Sequence, residues 1–114
     1  MNTYSQITTE INQYKDPVRA KHSVRFFKTG KGEYGEGDIF IGVKTPILRQ
    51  IAKKYYQQIN LDTIQKLLKN PIHEYRALAL MILTNQFQYF QKQLNKVSFQ
   101  TDTKSDPESI QIKL

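Results

Sequence analysis

The stretch Phe26–Val43, FFKTGKGEYGEGDIFIGV, decides how the rest of this chain is organised. It holds all five glycines of the protein, and helix-like patterns lie on both sides of it. Glycine loses more conformational entropy on ordering than any other residue, so such a cluster needs positive φ angles or a close backbone approach to justify it. The part Asp38–Gly42 could form a short strand, but the flanking helices offer no partner strand. We therefore predict an ordered loop that inserts Ile39, Phe40 and Ile41 into the core.

Five helices are predicted around this loop. Apolar residues at intervals of three and four give the first, over residues 3–15. Three others follow a capping residue placed directly before a proline, a pair typical of a helix start, and these pairs are Asp16-Pro17, Thr45-Pro46 and Asn70-Pro71. Asn60 is the predicted cap of the remaining helix. The pattern predicts an all-α fold, and a HEAT-like partial solenoid is preferred over a compact bundle.

The last of these helices and the residues after it differ in character. The helix that opens at Asn70-Pro71 is nearly continuous in apolar residues, which predicts that it is covered on most sides. Polar residues dominate from about Gln91 onward. We predict one domain of helical repeats over residues 1–92 and a divergent, weakly ordered tail over residues 93–114.

Composition limits the function classes. With no cysteine and two histidines, the chain cannot form disulfides, thiolate metal sites or multi-histidine metal sites. No apolar run approaches a membrane span and no signal pattern opens the chain, which favours a cytoplasmic protein without membrane partners. The net charge of +7 and pI of about 9.6 favour a polyanionic partner, although simple solubility explains them equally well.

Nucleotide and metal sites are both disfavoured. Gly30, Gly32 and Gly35 match G-x-G-x-x-G, but a helix precedes them where a dinucleotide site needs a strand. Three acidic residues follow or lie among these glycines, namely Glu33, Glu36 and Asp38. They could ligate a divalent cation, but helix capping or pairing with nearby lysines is the preferred interpretation, and we predict no metal or cofactor.

Two further groups of residues are candidate binding sites. Glu74 at a helix start is explained by the helix dipole, and Arg76 is expected to pair with it, the alternative being a phosphate contact. Basic and aromatic residues that could face nucleic acid form the second group: Lys28, Lys31, Tyr34, Lys44, Arg49 and Lys53. The alternative is a solvated basic face, and for Phe27 a place in the core is the preferred interpretation.

The glycine-rich stretch carries a family resemblance. Phe27–Val43, then Pro46 and Arg49, resembles a hallmark of the bacterial DNA alkylation repair family, the AlkD-type DNA glycosylases. Pro71–Leu80 resembles that family's next helix, so the resemblance covers roughly residues 7–90. It implies a superhelix of HEAT-like repeats with a basic groove for duplex DNA, and hydrolysis of the N-glycosidic bond of cationic alkylated purines without metal or cofactor.

The same resemblance implies that catalysis needs an aspartate beside a tryptophan, and this chain has no tryptophan. We therefore assign no catalytic residue. The expectation is a truncated copy that lacks the catalytic repeats and could associate with itself through the exposed end of its repeat stack. A DNA-binding or partner-binding module without chemistry, and a purely structural fragment, are the alternatives.

Overall fold

The computed structural model describes residues 2–27, 32 and 36–101, with side chains as far as residue 97. The helices in this part are α1 (Thr3–Asn12), α2 (Pro17–Phe26), α3 (Thr45–Tyr55), α4 (Leu61–Leu68) and α5 (His73–Thr101). Within the same residues no strand is present. The all-α prediction is confirmed, and the packing of the helices is consistent with a HEAT-like fold.

Two of the predicted helix caps form as expected. The Asp16 side chain accepts hydrogen bonds from the backbone N–H groups of Val18 and Arg19 at the start of α2. Asn60 accepts one from Thr63 N–H at the start of α4. Each bond satisfies a donor that the first helical turn leaves without a partner.

The other two predicted starts are wrong in detail. Lys44 holds the cap position of α3 without a side-chain bond, and Thr45 already lies inside the helix. Helix α5 begins at His73 rather than at Pro71. The Asn70 side chain instead accepts the Ile72 N–H at 2.9 Å, which shapes a turn before the helix begins.

The core lies between four of the helices. Helix α5 packs against α3 and α4, and α1 packs against the same two helices. The core side chains are apolar and almost free of solvent contact, among them Ile7, Ile11, Leu48, Ile51, Ile64, Leu67, Leu78 and Ile82. Helix α2 has no buried residue.

Residues Asp38–Val43, which we call the anchored segment, are fixed to the start of α5. Ile39 N–H donates to Pro71 O at 3.2 Å, and His73 N–H donates to Ile39 O at 2.7 Å. These bonds form an isolated parallel bridge between Ile39 and Ile72. The expected insertion of Ile39 into the core is wrong, since this residue is 49% exposed, whereas Phe40 is buried as expected.

The buried carboxylate of Glu74 holds the second half of the anchored segment. One of its oxygens accepts the Ile41 N–H at 3.1 Å. The other accepts the N–H groups of Gly42 at 2.8 Å and Val43 at 3.3 Å. Because buried backbone donors need partners, this one side chain allows a non-helical segment to lie against the core.

Gly42 lies at a position that requires glycine, for the two reasons that the sequence analysis named. Its φ is +87°, and a Cβ there would lie 2.0 Å from Asp16 O. Asp16 N–H also donates to Ile41 O at 2.9 Å. Only glycine combines this backbone conformation with so close an approach. Gly37 also has a positive φ, but a Cβ there would meet open space.

Two burial predictions fail. Phe27, expected in the core, is 36% exposed and stacks on the Phe40 ring, with centroids 5.1 Å apart. Helix α5, expected to be covered on most sides, exposes Leu80, Phe87 and Phe90 by more than half. Only α3 and α4 pack closely against α5 among the described residues, so part of its surface stays exposed.

Helix α5 also continues beyond Gln93, where the divergent tail was expected to begin. The division at residues 92 and 93 stays a prediction. Among residues 2–27, 32 and 36–101, none of the helices combines the length and apolarity needed to cross a membrane.

Candidate nucleic-acid interface

Helices α3 and α5 run side by side in the same direction and are linked at both ends. Glu74, in the first turn of α5, binds Val43 just before α3 begins. Gln86, twelve residues along α5, donates through its amide nitrogen to Tyr56 O and Ile59 O, both at 2.9 Å, just after α3 ends. Twelve helical residues span about 18 Å, so the helices stay paired over the whole length of α3.

A groove of about 720 Å³ lies between these two helices. From α3 it is lined by residues spaced along one side of the helix: Arg49, Ala52, Lys53 and Tyr56. From α5 it is lined by Ala77, Leu80, Met81, Thr84, Asn85, Gln88, Tyr89 and Lys92. The adjacent side of α3, with Leu48 and Ile51, packs into the core, and Ala52 lies where the core side meets the groove side.

All the charged side chains that line this groove are basic. Arg49 and Lys53 lie on the α3 wall and Lys92 on the α5 wall, and no carboxylate is among the lining residues. None of the three cations has an acidic partner among the residues the structure describes. Lys54, next in sequence to Lys53, points instead to α1 and binds Glu10 at 3.0 Å. The groove therefore presents free cations to an anionic ligand.

The remaining lining residues are apolar or can form hydrogen bonds. Ala52, Ala77 and Met81 supply apolar surface, and Asn85 and Gln88 can both donate and accept hydrogen bonds. Neither a histidine nor a carboxylate lines the groove in the described part of the chain. The lining residues therefore offer cationic, apolar and hydrogen-bonding contacts to a ligand.

The predicted basic residues are not all brought together. Arg49 and Lys53 share the groove, whereas Lys44 lies beside α2 in a second hollow of about 350 Å³ that also involves Asp16, Arg19 and His22. Lys28, Lys31 and Tyr34 fall outside the described residues.

The acidic residues of the glycine-rich stretch make protein contacts. Asp38 pairs with Arg76, and its second oxygen lies 3.4 Å from His73 Nδ1. The expected pairing of Arg76 with Glu74 is therefore wrong. Glu36 accepts the Gly32 N–H at 3.1 Å. Glu33 falls outside the described residues, which contain no group of three or more potential metal ligands.

The perturbed titrating groups lie away from the groove wall. Burial acts to raise the pKa of Glu10, but hydrogen bonds from Tyr55 and Lys54 and the Lys54 charge outweigh it, so the pKa is lowered. The bond to Glu10 raises the pKa of Lys54 and of Tyr55. Burial raises the pKa of Tyr75, whose hydroxyl donates to Asn12 at 3.2 Å.

Lys92 is the groove residue that the sequence analysis missed. It lies four residues after Gln88 and eleven after Met81, which places all three on one side of α5. That register could have been read from the sequence had the fifth helix been extended through residue 92. The composition becomes polar near Gln91, so apolar periodicity marks this part of the helix only weakly.

Comparison with known proteins gives the family. A family model described as DNA alkylation repair enzyme matches residues 7–109, which include every described helix except the first residues of α1. Comparisons with curated proteins and with solved structures give no match. Because the family model covers well over half of the chain, this protein belongs to the DNA alkylation repair enzyme family.

Proposed function

We propose that this chain binds duplex DNA through the groove between α3 and α5 and does not itself excise bases. The observation that carries the proposal is the set of three cations, Arg49, Lys53 and Lys92, on two walls with no carboxylate among the lining residues. Membership of a DNA alkylation repair family makes duplex DNA the preferred polyanion.

Phosphate contacts account for the expected binding. Lys and Arg side chains neutralise backbone phosphates and release condensed counterions, which favours binding without reading sequence. Arg49 and Lys53 are four residues apart, so their Cα atoms are separated by about 6 Å along the α3 axis. Asn85 and Gln88 on the facing wall can add hydrogen bonds to phosphate or sugar oxygens. We expect affinity with little sequence preference.

We assign base excision to parts of the family's fold other than the groove between α3 and α5. The resemblance implies a Trp–Asp pair that stabilises the cationic sugar as the base departs, and a carboxylate in such a position has a sound electrostatic role. This chain contains no tryptophan, and its groove has no carboxylate. We propose that it corresponds to the N-terminal repeats of an alkylpurine DNA glycosylase, without the catalytic ones.

Fluorescence anisotropy with a labelled duplex tests the DNA proposal. Three phosphate contacts predict a slope of log K against log salt of about −2.7, equivalent to about 40-fold weaker binding at 200 mM than at 50 mM salt. The double variant Arg49→Glu/Lys53→Glu should lose most of the affinity. Lys66→Glu with Lys69→Glu makes the same charge change on α4 and should retain nearly all of it.

The outcomes separate the alternatives. Equal losses in the two double variants would show that net charge alone drives binding, against a role for the groove. No binding by the unmodified chain would favour a partner-binding module. Release of 7-methylguanine from a methylated duplex would contradict the non-catalytic part of the proposal, whatever the affinity.

We also propose that copies of the chain associate through the open end of the helix stack. Leu80, Phe87 and Phe90 are 57%, 58% and 59% exposed on α5. Three large apolar side chains exposed along one helix are unusual for a monomer and are typical of an interaction surface.

A further inference from the structure

Apolar residues follow one another along α5 at heptad spacing. The intervals are three, four, three, four and three, and the members of this stripe are Leu80, Leu83, Phe87, Phe90, Leu94 and Val97. Leu83 also contacts the core, whereas Phe87 and Phe90 at the centre of the stripe are more than half exposed. A repeat of 3.5 residues is the pattern that two helices bury between them.

The residues that flank the stripe carry no charge. They are Thr84, Gln86, Gln91 and Gln93, and the only charged residues between Ala77 and Val97 are Lys92 and Lys96. When two identical helices pair, charges on these flanks can face like charges on the other copy. In a chain of net charge +7, neutral flanks remove that repulsion. The same lack of cations makes the stripe a poor surface for DNA.

We propose that the stripe is the interface of a homodimer in which the α5 helices of two copies pack antiparallel. This inference rests on the proposed self-association and adds its surface and orientation. The stripe is symmetric about a point between Gln88 and Tyr89. An antiparallel pair therefore places Phe87 of each copy against Phe90 of the other, and Leu80 against Val97.

Electrostatics favour the antiparallel arrangement over the parallel one. Helices α3 and α4 pack on the first half of α5, up to about Gln86 and its bonds to the end of α3. An antiparallel pair puts the two basic bodies at opposite ends of the helix pair, whereas a parallel pair puts them side by side. Leu80 lies at the edge of both surfaces, but Gln88 and Lys92 lie on another side of α5 from Phe87 and Phe90, so the cations of the DNA groove stay accessible.

Sedimentation velocity over a concentration series measures the dimer. Because each copy contributes a single helix, we expect the interface to bury less than the roughly 1,200–2,000 Å² of stable complexes and to have a Kd in the micromolar range. Phe87→Gln/Phe90→Gln should raise that Kd by at least about tenfold. Phe26→Gln, which removes a 78% exposed phenylalanine from α2, is the matched control and should leave the Kd unchanged.

Disulfide trapping tests the orientation, because the chain has no native cysteine. Leu80→Cys and Val97→Cys variants, mixed under oxidising conditions, should form a mixed disulfide. Leu94→Cys alone should not link to itself, since only a parallel pair brings its two copies together. Self-linking of Leu94→Cys, without the mixed product, would overturn the antiparallel arrangement.

The remaining outcomes are equally decisive. A monomeric unmodified chain at high micromolar concentration would overturn both the self-association and this surface. A dimer that Phe87→Gln/Phe90→Gln leaves intact would refute the surface alone. If that variant loses helix content by circular dichroism, Leu94→Gln, at another position of the stripe, replaces it with the same expectation. DNA affinity is measured separately on each variant and should not change.

Discussion

Replacing Glu74 by glutamine tests whether the buried carboxylate holds the anchored segment in place. The two side chains have the same shape, but the glutamine amide nitrogen cannot accept an N–H. One bond from Ile41, or the pair from Gly42 and Val43, is therefore lost. An unsatisfied buried donor costs about 1–3 kcal/mol, and the bonds that survive lose their charge assistance. We expect Glu74→Gln to lower the free energy of unfolding by about 2–4 kcal/mol.

Urea unfolding followed by circular dichroism measures this change. For a domain of this size the loss corresponds to a fall in Tm on the order of 10–20 °C. Glu36→Gln is the control, since Glu36 is exposed and accepts a single N–H from Gly32. It should change stability by no more than about 0.5 kcal/mol.

Amide hydrogen exchange gives a local readout of the same variant. Gly42 and Val43 should lose protection in Glu74→Gln while Leu78, in the core part of α5, keeps more of it. A stability loss below about 1 kcal/mol, or equal to that of Glu36→Gln, would refute the argument that this carboxylate carries the segment.

Three further outcomes are expected. Gly42→Ala should lower the free energy of unfolding by at least about 3 kcal/mol because the added Cβ meets Asp16 O. Gly37→Ala, with a similar positive φ but open space around it, should lower it by about 1–2 kcal/mol. Similar losses for the two variants in thermal melts would contradict the close approach at Gly42. Glu10 has a lowered pKa, so its contribution to stability is complete above about pH 4.5 and is lost as the pH falls below that value. The difference in unfolding free energy between the unmodified chain and Glu10→Gln should therefore shrink on acidification. A difference that persists at pH 2 would refute the assignment. Phe40→Ala should lower stability by about 3–5 kcal/mol if its stacking between Phe27 and His73 fills that site, and a loss below about 1 kcal/mol in urea unfolding would contradict it.

Local signals in the sequence predicted the helices and the need for a glycine in the connecting segment. Asp16 and Asn60 are recognisable as caps because the bonds they make reach only two or three residues along the chain. Apolar periodicity predicted α1 for the same reason. The pairing of Arg49 and Lys53 on one groove wall follows from their spacing of four residues.

The contacts that the sequence analysis got wrong join residues far apart in the chain. Glu74 was explained by the helix dipole and Arg76 by Glu74, because both explanations use neighbours. In the structure Glu74 binds Gly42, 32 residues away, and Arg76 binds Asp38, 38 residues away. Lys44 and Lys53 looked like members of one basic face, but the turn into α3 directs Lys44 toward α2.

By itself, the sequence determined that this protein is all-α, that α2 and α4 start at the caps Asp16 and Asn60, and that its glycine-rich stretch resembles a DNA alkylation repair family. These properties depend on residue type and short spacing, which the chain carries without folding. Only the tertiary structure decided which cations share a groove, which acid holds the anchored segment, and which side of α5 stays exposed. Those outcomes depend on how α3, α4 and α5 pack, and packing sums many weak contacts between distant residues that no local pattern records.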